Sequence, residues 1–225
     1  MTAAMKYRAF ATDYDGTLAH DGRVDRPTLD ALERARAAGV RLLLVTGREL
    51  ADLANTFPQF ALFDRIVAEN GAVLMEPSTS RVRLLAQPAP AALVERLTRL
   101  AIPLSVGHTI VATVEPHQHE VLEAIHDLGL EWHIIFNKGS VMALPAGVTK
   151  ATGLAPALEE LAVTAAETVA VGDAENDQAF LAACGLAVAV ANALPSLKEI
   201  ADVVTAGERG AGIVELIDGL VSAHR

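Results

Sequence analysis

The segment "FATDYDGTLA", residues 10–19, sets Asp13 and Asp15 one residue apart, directly after an apolar run and just before Gly16 and Thr17. An apolar run closed by a glycine is where a buried strand ends and the backbone turns. In an open α/β sheet the C-terminal strand tips face the crevice in which ligands bind. Two carboxylates there can divide a reaction, one as nucleophile or metal ligand and the other as proton carrier. The same pair also reads as turn acids capping the next segment. A calcium loop fails on phase, because Gly16 follows the second acid directly and Val24 stands where the closing glutamate belongs.

Three further segments bear on the choice. "VTGRE" puts Thr46 and the Gly47 amide at a second strand tip, with a helix expected to begin near Glu49; a hydroxyl, a free N–H and a helix N-terminus suit a phosphate oxygen, and equally an N-cap. "VAVGDAENDQ" supplies Asp173 at a third tip, with Asn176 and Asp177 a turn later, the oxygen-rich grouping that a bound Mg²⁺ and its waters need. Lys150 opens a helix in "PAGVTKATG", where a lone lysine reads by itself as a solvated charge.

The elements that must position these residues alternate. "YRAFAT", "RLLLVTG", "ETVAVGD", "LAVAV" and "ADVVTA" read as strands, and "RPTLDALERARAAGV", "TKATGLAPALEELA", "NDQAFLAAC" and "GIVELIDGLV" as helices. That order predicts a Rossmann-like parallel sheet with helices on both faces. Between the halves, "AVLMEP" and "RVRLLA" look like a hairpin, after which residues 86–146 lack long crossovers and read as a small α+β insertion bounded by "AQPAP" and "LPAGVT". The expected division is a core of residues 1–85 and 147–225 and a cap of residues 86–146.

In order, strand–DxDGT, strand–TGR, Lys and strand–GDxxND resemble the haloacid dehalogenase superfamily of phosphohydrolases, and more narrowly its Cof-like, subclass IIB branch, whose cap lies between the second and third motifs. "AENGAV", "LPAGVTK" and "VANALPSLKEIADVVT" extend the resemblance along nearly the whole chain. Phe180 departs from it, standing where the branch usually carries methionine, and the cap is short for the branch. The resemblance implies a phosphoric monoester hydrolase in which Asp13 attacks phosphorus and Asp15 carries the proton. It further implies Mg²⁺ on Asp13, the Asp15 carbonyl and Asp173, with Asp177 behind them. Thr46, Gly47, Lys150 and Asn176 would hold phosphate oxygens. Specificity would then fall to residues able to touch the rest of the substrate: Arg48 beside the phosphate loop, and His108, Trp132, His133 and Lys138 in the cap. Trp132 and His133 alternate on one strand, so only one of them faces the site.

Charge and composition narrow the partners. The 225 residues carry a formal net charge of -10, which repels a nucleic-acid backbone. The longest apolar stretch, "FLAACGLAVAVANAL", is too short to span a bilayer, and the single Cys184 and the absence of a long apolar N-terminal run fit a cytoplasmic chain. "GERGAG" has the wrong glycine order and position for a dinucleotide loop, and His117 and His119 in "EPHQHE" read as solvated residues at a helix start. The expected partner is a small phosphorylated metabolite, a sugar phosphate or a short-acid phosphate. A phosphomutase and a non-catalytic phosphometabolite-binding protein are the alternatives.

Overall fold

The computed structural model describes residues 7–222. Residues 1–6, where a leader segment would begin, and the last three lie outside the described residues. Among the described residues, twelve strands and eight α-helices follow in chain order: β1 Ala9–Thr12, α1 Arg26–Ala37, β2 Arg41–Val45, α2 Leu50–Thr56, β3 Arg65–Ala68, β4 Val73–Glu76, β5 Arg81–Leu84 and α3 Ala91–Arg99. Then come β6 Ser105–Val106, β7 Val111–Val114, α4 Gln118–Asp127, β8 Trp132–Asn137, β9 Ser140–Pro145 and α5 Lys150–Glu160. The chain closes with β10 Thr168–Gly172, α6 Gln178–Ala183, β11 Leu186–Ala189, α7 Pro195–Ile200, β12 Val203–Val204 and α8 Arg209–Ser222.

The large sheet has the order β12-β11-β10-β1-β2-β3-β4-β5. Its first six strands are parallel, as the alternation of elements requires. The hairpin expected after β3 forms, and β4 and β5 join this sheet as its antiparallel edge. β1 and β10 are buried along their whole length, which is why their sequences are continuous small and branched apolar runs. Helix α1 packs against α8, and α5 against α6, so that the sheet is flanked by helices. The start of α1 shows the local rule at work: Asp25 accepts the Thr28 amide at 2.9 Å and Pro27 takes an early position that has no N–H to lose.

The cap is a four-stranded antiparallel sheet in the order β6-β7-β9-β8 with helices α3 and α4 on one face. Leu93, Leu97, Val121 and Ala124 pack there with Ala143, and Trp132 and Ile134 lean on the same cluster. Alternate residues point the other way: Met142 and Leu144 of β9 bury with Ile110, and Ile135 of β8 packs on them. Among the described residues no helix is long and apolar enough to cross a membrane.

The return from the cap is a tight joint in the core. A capping box between Thr149 and Thr152 starts α5 so that Lys150 is its first residue. One turn on, Gly153 lies so close to the β3–β4 connection that an added Cβ would stand 2.4 Å from Gly71 Cα and 2.6 Å from Val67 Cγ1. Gly153→Ala must therefore push α5 outward and should cost about 1–3 kcal/mol in urea unfolding. Gly219→Ala, in α8 with nothing within 4 Å of its added Cβ, should gain about 0.5–1 kcal/mol in the same measurement.

Candidate active site

In the parallel register Thr12 of β1 pairs with Leu44 of β2 and Val171 of β10, so Asp13, Thr46 and Asp173 stand at three adjacent strand tips. Asp13, Asp173 and Asp177 are all buried, and one carboxylate oxygen of each lies within 4.8 Å of the others. Lys150 is not solvated as a lone lysine would be. It is 1% exposed, and its ammonium donates to Asp13 Oδ1 at 2.5 Å and Asp177 Oδ1 at 2.6 Å. Asp177 Oδ2 accepts the amides of Asp173 at 2.9 Å and Ala174 at 3.0 Å, so this residue fixes both the lysine and the turn that presents Asp173.

Burial pushes the Asp13 carboxyl up to about 8; Lys150 opposes that shift, whereas Asp177 and Asp173 add to it. Burial likewise raises Asp173, with Lys138 acting against it. Burial alone would lower Lys150, but Asp13 and Asp177 reverse the effect and hold its ammonium above the ordinary range. Three buried carboxylates against one buried ammonium leave the centre short of positive charge. That deficit and the all-oxygen donor set fit a divalent cation. A protein cation already marks the place: Lys138 Nζ, from the β8–β9 turn, donates to the Asp15 main-chain oxygen at 2.5 Å and to Asp173 Oδ2 at 3.1 Å. Asp177, with both oxygens engaged, supports that seat from behind.

While the Asp15 carbonyl faces Lys138, its side chain is gripped by Arg48, whose Nε and Nη2 donate to Oδ2 and Oδ1 at 2.7 and 2.8 Å. Arg48 also donates to Asp52 at 2.6 Å and lies 5.3 Å from the centre of the Tyr14 ring. Thr46 is buried and its hydroxyl accepts the Arg48 amide at 3.1 Å. Asp13, Asp15, Gly47, Arg48, Lys138 and Met142 line one cavity of about 440 Å³.

The remaining sequence-predicted residues do not line this cavity. Asn176 donates to Asn70 Oδ1 at 3.0 Å and lines a neighbouring cleft, as does His133, whose burial lowers its imidazole below the ordinary range. Trp132 leans on the cap's own core, which settles the alternation on β8 in favour of His133 facing the core domain. His108 lies against Glu69 and borders a small apolar pocket beside Leu50 and Phe60. His117 stays near Glu120 at the start of α4, and neither it nor His119 belongs to a metal-ligand cluster among the described residues.

Glu69 was not singled out in the sequence, although "AENGAV" was. It is fully buried and accepts the amides of His108 at 2.9 Å, Thr109 at 2.8 Å and Ile110 at 3.1 Å. One core carboxylate thus pins the cap segment that carries Ile110 to the cavity wall. An acid just past a strand tip and followed by Asn-Gly is the signal that could have found it.

A sequence profile of haloacid dehalogenase-like hydrolases matches residues 10–115 and 113–217. The chain belongs to this family. Phosphoglycolate phosphatase of Methanothermobacter thermautotrophicus is 33% identical to the hydrolase over 93% of this chain and 97% of its own. Phosphoglycolate phosphatase 2 of Saccharolobus solfataricus is 30% identical over 95% and 92%. Among solved structures, a haloacid dehalogenase-like hydrolase from Bacteroides thetaiotaomicron superposes with a TM-score of 0.80 at 19% identity, covering 96% of this chain and all of that one. A subclass IIB sugar phosphatase superposes at 0.72 with 22% identity, over 96% and 97%. The hydrolase has the Cof-like fold and is a phosphoric monoester hydrolase.

Two outcomes follow from this geometry. Glu69→Gln removes the charge that holds three amides, so hydrogen exchange at residues 108–110 should quicken about tenfold or more while β1 and β2 stay protected. Asp13 is raised from 3.8 to about 8, so the folded chain holds more protons than the unfolded one in that window. Its contribution to stability is greatest at acid pH and falls as the pH rises. A divalent cation bound there would offset that loss, and the melting temperature should rise more on its addition at about pH 8 than at about pH 5.

Proposed function

We propose that the hydrolase is a Mg²⁺-dependent phosphatase that acts on a short phosphorylated acid through an aspartyl phosphate on Asp13. The observation that carries this reading is the buried Asp13–Lys150–Asp177 chain beside Asp173, an arrangement that fixes a carboxylate nucleophile and supplies positive charge around it. The acid class draws on the relatives named phosphoglycolate phosphatase. We assign residues 1–85 and 147–225 to the catalytic core and 86–146 to the cap.

Asp13 and Asp15 line the same cavity. Lys150 engages Asp13 Oδ1 and leaves Oδ2 to attack phosphorus as the bond to the ester oxygen breaks. Asp15 gives its proton to that departing oxygen. In the second half Asp15 takes a proton from water, whose oxygen attacks phosphorus, and the bond to Asp13 breaks to restore the carboxylate and release phosphate. For this exchange Arg48 must free one Asp15 oxygen. The Thr46 hydroxyl, the Gly47 amide and Lys150 hold the phosphoryl oxygens as charge shifts during transfer. Mg²⁺ on Asp13, Asp173 and the Asp15 carbonyl would withdraw charge from the phosphoryl group and keep Asp13 ionised.

A cavity of about 440 Å³ suits a small ester. Lys150 and Arg48 each face two carboxylates, which leaves Lys138 as the cap's cation for a substrate carboxylate. His133 borders the adjoining cleft, and we assign no substrate contact to His108 or Trp132. Phosphate release from phosphoglycolate should vanish in Asp13→Asn, fall about 10²–10⁴-fold in Asp15→Asn, and depend on added Mg²⁺. Substantial turnover by Asp13→Asn would overturn the covalent route, and an isomerised ester in place of free phosphate would make the hydrolase a mutase.

A further inference from the structure

The contact made by Lys138 is unusual for a half-exposed surface lysine. Its stem leaves a turn in which Lys138 and Gly139 both take positive φ, at 51° and 82°. Its ammonium reaches across from the cap to two oxygens of the core, the Asp15 carbonyl and Asp173 Oδ2. Gly16 makes that approach open, since an added Cβ would lie 2.4 Å from both Asp173 Oδ2 and Lys138 Nζ. The seat is rigid on the core side: the Thr17 hydroxyl donates to Asp173 Oδ1 at 3.0 Å, and Asn192 Nδ2 donates to the Gly16 carbonyl at 2.7 Å. Those two oxygens belong to the group assigned above to a divalent cation.

We propose that Lys138 is a displaceable occupant of the cation seat, so that a divalent cation binds by expelling the lysine and releases the β8–β9 turn from the core. This rests on the reading of the acidic cluster as a divalent-cation site. A monovalent ammonium and a divalent ion cannot share Asp15 O and Asp173 Oδ2, because each would desolvate and repel the other at contact distance. The buried acids, whose charge Lys150 only partly balances, favour the ion of higher charge. Lys138, 52% exposed at its side chain, gives up little packing when it leaves. The exchange makes the cap's attachment depend on the cation: before binding, the turn is pinned to the core, and afterwards its ammonium is free for the leaving group. Lys138 thus couples the cap turn to the cation.

The test is a Mn²⁺ titration read by the electron paramagnetic resonance of the free ion, on metal-stripped wild type, Lys138→Met, Lys138→Gln and Asp173→Asn. Both neutral variants at position 138 should bind Mn²⁺ about tenfold more tightly than wild type, because no cation has to be displaced. Asp173→Asn should bind much more weakly. In wild type, Mg²⁺ should speed hydrogen exchange across residues 137–140, and Lys138→Met should show that faster exchange without Mg²⁺. Equal or weaker Mn²⁺ binding by both position-138 variants, with wild-type circular dichroism, would overturn the proposal and leave the cation site standing. Failure of wild type and all variants alike to bind Mn²⁺ would overturn the cation site, and the proposal with it.

Discussion

Positive charge at the tips of three parallel strands is the condition on which the molecule depends. Asp13, Asp173 and Asp177 arrive there because β1 and β10 are neighbours in the sheet and because the turn after β10 folds back through the Asp177 carboxylate. Such a cluster would expel itself into water unless something held it. Lys150 does so from 137 residues beyond Asp13 in the chain. A buried ion pair is poor evidence for net stability, since desolvation consumes much of its attraction, but removing one partner leaves the others charged and unmatched. The lysine therefore constrains topology: whatever is inserted after β5 must return the chain to the point where α5 can begin at residue 150.

That constraint explains why the joints around the cap are so specific. Gly71 and Gly153 let α5 cross the β3–β4 connection closely enough to set Lys150 among the acids, and the Thr149–Thr152 capping box fixes the first turn of the helix. On the outgoing side Glu69 receives three cap amides, and Ser105 Oγ donates to Glu49 Oε1 at 2.6 Å. Catalytic geometry and cap attachment are thus built from the same short loops.

Much of this was legible in the sequence, and what was not has a physical cause. The strand tips could be read because buried parallel strands are apolar throughout and stop abruptly at polar residues, as at Thr12–Asp13 and Gly172–Asp173. Lys150 alone reads as solvent-exposed, and only its order among the other motifs marked it. Its burial follows from a contact between segments far apart in the chain, which no local pattern encodes. The grip of Arg48 on Asp15 was missed for the same reason. The period of two on β8 showed that Trp132 and His133 must part, but the side each takes is set by where α3 and α4 pack. Asn176 sits in a recognisable motif, yet its amide goes to Asn70 in a partner loop invisible to spacing. The hairpin was evident from its turn, whereas its place at the edge of the large sheet depended on β3 having an unpaired side.

Selectivity follows from how the cations are distributed. Lys150 and Arg48 are each held between two carboxylates, so both are committed to organising Asp13 and Asp15 rather than to distinguishing one ester from another. In the proposed function the phosphoryl end of any substrate would meet the same core. The other end would meet the cap face that carries Met142, Ser140 and Lys138. On the proposed reading, the Lys138 ammonium would distinguish esters by the charge beyond the phosphate, since an unpaired substrate carboxylate would be costly to enclose there. On that reading the core would supply a reaction common to many phosphate esters, and the Lys138 ammonium would restrict which of them is turned over.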